Sequence, residues 1–214
     1  MKYELIIFDM DGTILDTLED LKNSMNHTLR LHNMPERTLD EIRSFVGNGI
    51  LKLIERATTE GTTPEKIKAI HKDYMAHYEL HCADFTKPYD GVIDLIQKLR
   101  DRGYKTAVVS NKAHDAVLDL CEKYFPNLFD LALGERPEIE KKPAPDMVNL
   151  VLDQLQISRE KAIYIGDSDV DVATARNSNL DMIAVEWGFR TREFLTEQGA
   201  ETIVSKPEEI LGLV

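Results

Sequence analysis

Apolar residues in this chain gather in short unbroken clusters, separated by stretches where they recur every three or four positions. Residues 5–8, 106–109 and 162–165 are brief, apolar and rich in β-branched side chains, as strands buried on both faces are. Residues 128–133, 182–185 and 202–204 are weaker candidates of the same kind. Helical spacing fills the intervals. Val92, Ile93, Ile96 and Leu99 share one face, with Gly103 where a C-terminal cap belongs. Ala116, Val117, Leu120, Cys121 and Tyr124 form the next stripe, and Met147, Val148, Val151, Leu152 and Leu155 another, opening near Pro145. Strand and helix in alternation predict an α/β fold with a mostly parallel sheet.

Residues 16–85 break that alternation. They contain no convincing strand, only helical stripes such as Leu18, Leu21, Met25 and Leu29, then Ile67, Ile70, Tyr74 and Tyr78. Pro35, Gly47, Gly49, Gly61 and Pro64 divide the stretch into several helices. An all-helical block placed directly after the first strand reads as an inserted subdomain, leaving 1–15 and 86–214 as the core.

Composition narrows the class of partner. Hydrophobic residues make up 43% of the 214, and 11 Gly with 8 Pro are too few for a disordered or collagen-like chain. The 26 Lys and Arg against 38 Asp and Glu leave a net charge of −12, which disfavours nucleic acid and anionic membrane surfaces. No apolar run approaches the ~20 residues of a membrane helix. The N-terminus meets acidic residues before a signal-peptide core can form. Cys82 and Cys121 form neither a CxxC unit nor a disulfide framework. The expectation is a soluble cytoplasmic protein, monomeric or homodimeric, whose partner is a small molecule.

The chemistry gathers at strand ends. Asp9-Met10-Asp11-Gly12-Thr13 follows the first strand, Ser110-Asn111-Lys112 the second and Gly166-Asp167-Ser168-Asp169-Val170-Asp171 the third. Ligands of an open parallel sheet bind outside the carboxyl ends of its strands. Five acids, a hydroxyl and a cation are therefore delivered to one edge. Ser168 and Asp169 have an ordinary use as helix N-caps. The remaining carboxylates would repel one another unless a cation lay between them. An all-oxygen set without Cys or His favours Mg²⁺.

DMDGTILDT, VVSNK, KKPAPD and GDSDVD, in that order, resemble the four motifs of the haloacid dehalogenase-like hydrolases. The likeness spans the whole chain, and FVGNGILKLIERA, SNK and VEWGFR resemble phosphoglycolate phosphatases. It implies a Rossmann-like core with helices on both faces and a helical cap over 16–85. It also implies a Mg²⁺-dependent phosphatase acting on a small phosphate monoester through an aspartyl-phosphate. Asp9 would be the nucleophile and Asp11 the general acid and base, both side chains facing the phosphate at i and i+2. Asp9, Asp11 (through its main-chain carbonyl) and Asp167 would hold the metal. Ser110 and Lys142 would hold phosphoryl oxygens, with Asp171 orienting Lys142 from behind. Lys142, just before Pro143, matches the motif, while Lys141 belongs to the surface. Gly12, Thr13, Asn111 and Lys112 would contact substrate from the core, and Arg43, Gly47, Asn48 and Gly49 from the cap. An acid at position 11 argues for an alkoxide leaving group, since a halide leaves without protonation.

Other readings carry less weight. His77 and His81 stand at i and i+4 without a third ligand, and Cys121 fits a core stripe. Trp187 and Gly188 read as a loop anchor near the site, and the SxxK string at 158–161 as a helix-to-strand turn. Relatives with the same core include pyrophosphatases, β-phosphoglucomutase-like mutases and phosphonatase-like enzymes, the last requiring a Schiff-base lysine for which Lys52 is the candidate. A receiver-type signalling domain would share the aspartyl-phosphate chemistry but not the helical insert.

Overall fold

The computed structural model describes residues 2–214. β1 (Leu5–Phe8) leads through the short β2 (Leu15–Asp16) into four helices, α1 (Leu18–Leu31), α2 (Leu39–Phe45), α3 (Ile50–Ala57) and α4 (Pro64–His81), and the chain returns through β3 (Lys87–Pro88). Helices and strands then alternate: α5 (Val92–Asp101), β4 (Lys105–Ala113), α6 (His114–Tyr124), β5 (Leu131–Glu135), α7 (Asp146–Leu155), β6 (Ala162–Gly166), α8 (Asp169–Asn177), β7 (Asp181–Val185), α9 (Arg192–Glu197) and β8 (Ile203–Val204). Contacts divide the chain into two compact units, Met1–Leu15 with Pro88–Val214, and Asp16–Lys87. The second crossing lies two residues beyond the expected boundary at 85/86.

In the first unit six strands run in the order β5-β4-β1-β6-β7-β8, every neighbouring pair parallel. β1 lies between β4 and β6, so Phe8 is in register with Val108 on one side and Ile165 on the other. Leu5 and Ile7 share a cluster with Val109, Tyr164 and the α7 residues Met147, Val148 and Val151. Ile6 and Phe8 point to the opposite face by the strand's alternation and are equally buried. A strand covered on both faces has no use for polar side chains, hence the uninterrupted apolar run.

Three expectations shift, the first at β4, which runs on to Ala113, so that Ser110, Asn111 and Lys112 lie within the strand and not after it. Ile93 is 45% exposed, and the buried face of α5 is Val92, Leu95, Ile96 and Leu99. Those four positions keep the i, i+3, i+4, i+7 pattern, which Ile93 leaves by about 100°. The strand expected at 128–133 is β5, which begins only at Leu131. Leu128 is buried ahead of it, and Asp130 donates its N–H to the Thr106 carbonyl at 2.8 Å.

The second unit is helical apart from the two-residue strands at its ends. Thr38 and Glu41 form a capping box at the start of α2, and Thr63 caps α4 with Pro64 in its first turn. Asp20, buried in α1, accepts the main-chain N–H groups of Phe85 at 3.0 Å and Thr86 at 2.8 Å. That carboxylate ties the returning chain to the first helix of the unit.

Candidate active site

Three strands of the first unit end side by side and set the site's frame. Asp9 follows β1 directly and donates its N–H to the Ile165 carbonyl of β6 at 2.9 Å. β4 carries Ser110, Asn111 and Lys112 within the strand, where its register against β5 shifts between Val109 and Ala113. β6 ends at Gly166, and Ser168 starts α8 with a capping box to Asp171. A Cβ at Gly166 would stand 2.4 Å from Cβ of Asp171, so glycine lets the strand end and the helix start pack together.

Lys142 is the hub. It is 3% exposed, and its Nζ lies 2.7 Å from Asp9 Oδ1, 2.9 Å from Asp171 Oδ1 and 3.1 Å from the Tyr164 hydroxyl. An ammonium so deeply buried requires this pairing, because desolvating a lone charge costs several kcal/mol. Burial opposes its charge, but Asp171 and Asp9 outweigh burial and hold the lysine well above its usual range. The Lys142–Pro143 peptide is cis. Asn111 grips the main chain of Lys142 twice, its Nδ2 donating to the carbonyl at 3.0 Å and its Oδ1 accepting the N–H at 2.8 Å.

Asp9, Asp167 and Asp171 are buried, with one carboxylate oxygen from each within 4.8 Å of the others. Their environments differ. Asp171 Oδ2 accepts the N–H groups of Asp167 and Ser168, both at 3.1 Å, and the Ser168 hydroxyl at 2.6 Å. Burial would raise its pKa, but Lys142, Ser168 and Tyr164 prevail and hold it below the usual carboxylate range. Asp9 moves the other way. Burial and the charge of Asp171 push it well up, against the pull of Lys142. Asp167 is pushed up to about 7, again by burial first and Asp171 second. Three carboxylates and one ammonium, all ionised, would leave two negative charges among buried side chains, the charge a divalent cation cancels.

Asp167 is held by a clamp. Its Oδ1 accepts the Thr13 hydroxyl at 2.8 Å and its Oδ2 the Phe189 N–H at 2.7 Å, while the Trp187 indole donates to the Thr13 carbonyl at 3.0 Å. Gly188 sits between these two anchors. A Cβ there would come 2.3 Å from the Gly12 carbonyl oxygen and 2.4 Å from Cβ of Asp167. Gly12 itself has φ +88°, open to glycine at little cost. Asp11 turns its carboxylate to Lys112 Nζ, at 3.0 Å and 3.3 Å from its two oxygens.

The first unit therefore gathers Asp9, Asp11, Gly12, Thr13, Ser110, Asn111, Lys112, Lys142, Asp167 and Asp171. Thr13, Asn111 and Lys112, expected to meet substrate, have protein partners: the Asp167 carboxylate, the Lys142 main chain and Asp11. Arg43, Gly47, Asn48 and Gly49 lie in the helical unit. Arg43 stands 3.6 Å from Asp40, and Gly47 and Gly49 have φ of +115° and +84°. Arg56 organises that loop, donating to the Phe45 carbonyl at 2.7 Å and to Asn48 Oδ1 at 2.8 Å. Lys52 is exposed and paired with Glu55 at 2.6 Å. His77 and His81 stack with each other, and His27 stacks on His77. The three histidines form no metal-binding group among the described residues.

Sequence reasoning passed over Tyr164, Phe189 and Arg56. Tyr164 was detectable as the one polar-tipped residue in an otherwise aliphatic strand. Phe189 acts through its main chain, which no side chain announces.

The family model for haloacid dehalogenase-like hydrolases matches residues 6–185. A phosphoglycolate phosphatase from Rhodobacter capsulatus is 35% identical over 189 residues, covering 86% of this chain and 85% of the relative. One from Aquifex aeolicus is 28% identical over 98% of this chain and 96% of its own length. The crystal structure of a candidate phosphoglycolate phosphatase from Lactobacillus delbrueckii subsp. bulgaricus superposes with a TM-score of 0.94 at 39% identity, covering 98% of this chain and 97% of that one. No helix among the described residues is long and apolar enough to cross a membrane. On these matches the chain belongs to the haloacid dehalogenase-like hydrolases, and within them it resembles the phosphoglycolate phosphatases.

Proposed function

We propose that this protein is a Mg²⁺-dependent phosphatase that hydrolyses a small phosphate monoester, phosphoglycolate or a close analogue, through an aspartyl-phosphate on Asp9. The observation that carries this reading is the chain Asp9–Lys142–Asp171, with ammonium-to-carboxylate distances of 2.7 and 2.9 Å. It fixes a buried carboxylate at the end of a strand with a cation beside it and a second acid, Asp11, two residues on.

The donor set suits a hard divalent cation. Asp9 and Asp167, both with raised pKa values, would hold it with the Asp11 main-chain carbonyl, whereas both Asp171 oxygens are engaged with Lys142, Tyr164, Asp167 and Ser168. Bound there, Mg²⁺ supplies charge neutralisation for the carboxylates and the phosphoryl oxygens.

The chain's own groups then perform two displacements. A carboxylate oxygen of Asp9 bonds to phosphorus as the ester P–O bond breaks, and Asp11 gives its proton to the departing alkoxide. Asp11 next takes a proton from water, whose oxygen bonds to phosphorus as the Asp9–phosphorus bond breaks, releasing phosphate. Ser110 and Lys142 hold phosphoryl oxygens as charge redistributes. Lys142 is kept aimed by Asp171, Tyr164 and the Asn111 grip.

Relatives named phosphoglycolate phosphatase supply the leading substrate. With a net charge of −12, attraction for an anionic ester must come from local cations. By the resemblance to phosphoglycolate phosphatases, the helical unit is the proposed cap, and Gly47, Asn48 and Gly49 of its 45–49 loop, with Arg43 of the preceding helix α2, are the proposed readers of the leaving group. Lys52, exposed in its pair with Glu55, gives no support to Schiff-base chemistry. Steady-state kinetics on phosphoglycolate, pyrophosphate and β-glucose 1-phosphate with Mg²⁺ test the reading. Phosphoglycolate should show the highest kcat/KM. Dominant pyrophosphate hydrolysis, or transfer of the phosphoryl group to sugar instead of water, would overturn it.

A further inference from the structure

The salt bridge between Lys112 and Asp11 assigns a task to a lysine that the site's phosphate chemistry leaves unused. Lys112 is 4% exposed, and its Nζ spans both oxygens of the Asp11 carboxylate, at 3.0 and 3.3 Å. Its root is fixed from two sides. Its N–H donates to Ser110 Oγ at 3.2 Å, and a Cβ at Gly134 of β5 would come 2.5 Å from its carbonyl oxygen. The lysine thus stands on a strand closed in by its neighbour, with its ammonium delivered to one carboxylate. Asp11 is held through its main chain, which bridges to Leu15. It sits beyond β1 in a turn where Gly12 donates to the Leu15 carbonyl at 2.8 Å, and its side chain is 21% exposed. A carboxylate at that position, free to choose among rotamers, would face a leaving oxygen only part of the time.

We propose that Lys112 is a positioning residue for Asp11: by holding its carboxylate more closely through Oδ1, it leaves Oδ2 to carry the proton in turnover and aims it at the leaving-group oxygen of the substrate. This rests on the phosphatase reading above, in which the Asp9–phosphorus bond forms, the ester P–O bond breaks and Asp11 supplies the proton that the alkoxide takes. It departs from the expectation that Lys112 itself contacts the substrate. An ammonium already spanning a carboxylate, in a chain whose family motif places the acid there, orients the acid first.

Three two-carbon substrates separate these roles. Ethyl phosphate has a neutral, poor leaving group. Acetyl phosphate matches it in size but releases acetate, which needs no proton. Phosphoglycolate adds a carboxylate to an alkoxide leaving group. With Mg²⁺ saturating, Lys112→Met should lower kcat for ethyl phosphate and phosphoglycolate alike, by about 10²-fold, and for acetyl phosphate far less, because only the first two need general-acid help. KM for ethyl phosphate and phosphoglycolate should change together. Lys112→Arg, which keeps a cation on the strand, should restore part of the loss. Adding Asp11→Asn to Lys112→Met should lower alkyl-ester turnover little beyond Asp11→Asn alone, since the two residues act as one unit.

A rise in KM confined to phosphoglycolate would overturn the assignment in favour of substrate reading. Equal losses on all three substrates, unrelieved by Lys112→Arg, would overturn it in favour of a general structural or phosphate-holding role. In both cases wild-type turnover leaves the phosphatase reading standing. A wild-type enzyme inactive on all three would overturn that reading, and the Lys112 assignment with it.

Discussion

Asn111 and Lys142 are joined by a reciprocal pair of hydrogen bonds, 3.0 Å from the Asn111 amide to the Lys142 carbonyl and 2.8 Å from the Lys142 N–H back to Asn111. The asparagine holds the main chain of the residue whose ammonium meets Asp9, so strand β4 sets the position of a lysine 31 residues further along the chain. Asn111→Ala removes both bonds, at about 1 kcal/mol each, and should destabilise the protein by about 2 kcal/mol. Turnover should fall by at least about tenfold, the effect of about 1.4 kcal/mol at the transition state. Urea unfolding and kcat on phosphoglycolate check the two halves. Unchanged kcat in a destabilised protein would show that Lys142 keeps its place without the grip.

The 187–189 loop makes a second prediction. Gly188→Ala would put a Cβ 2.3 Å from the Gly12 carbonyl oxygen, a main-chain atom that cannot swing aside. The loop must then withdraw, and with it the Phe189 N–H that holds Asp167 at 2.7 Å. Overpacking of this kind costs about 1–3 kcal/mol. The loss of activity should be larger at low Mg²⁺ than at saturation, which a metal titration of wild type and variant shows.

Asp167 and Asp171 should part company in their effect on metal binding. A ligand that binds only the folded state raises the thermal midpoint. Mg²⁺ should do so for wild type and for Asp171→Asn, but not for Asp167→Asn. Asp171→Asn should still lose most of its turnover, because it removes the ionic partner 2.9 Å from Lys142 Nζ. Chelation by EDTA should abolish activity and added Mg²⁺ restore it. Calorimetric scans with and without the ion test each variant.

In the helical unit, His77 lies between His27 and His81, with ring centroids at 4.0 and 4.3 Å. Burial, then the charges of His27 and His81, hold its pKa below the usual 6.5, with Arg30 acting in the same direction and Asp84 opposing. As pH falls below about 6.5 the unfolded chain takes up a proton that the folded His77 resists. The unfolded state then binds more protons, so stability falls with acid. His77→Gln should flatten the decline of the urea midpoint between pH 7.5 and 5.5. An unchanged slope would show that the stack does not contribute.

Much of this architecture was legible in the sequence because the physics is local. Residues 5–8 and 162–165 must be buried strands, and acids after buried strands must lie at the sheet's carboxyl edge, which places Asp9, Asp11 and Asp167 there from the sequence pattern alone. What a side chain turns toward is a tertiary matter. Asn111 and Lys112 stood at the right strand end, yet their partners depend on the register shift between Val109 and Ala113 and on where residue 142 returns. The polar tip of Tyr164 stands out in its strand, but its partner does not: the ring packs in the cluster around Leu5 and Ile7 while the hydroxyl meets Lys142, which lies 22 residues earlier in the chain. Ile93 misled because one extra apolar residue beside a helical stripe looks like part of it.

The central claim is that Asp9 becomes phosphorylated during turnover. Rapid acid quench of enzyme mixing with phosphoglycolate and Mg²⁺, followed by peptide mass spectrometry, reads it directly. The account predicts one added phosphoryl group on the peptide containing Asp9 in the wild type. It predicts none in Asp9→Asn, whose turnover should fall by several orders of magnitude. An unmodified Asp9 peptide throughout wild-type turnover, or an Asp9→Asn variant that retains more than about a tenth of the activity, would contradict it.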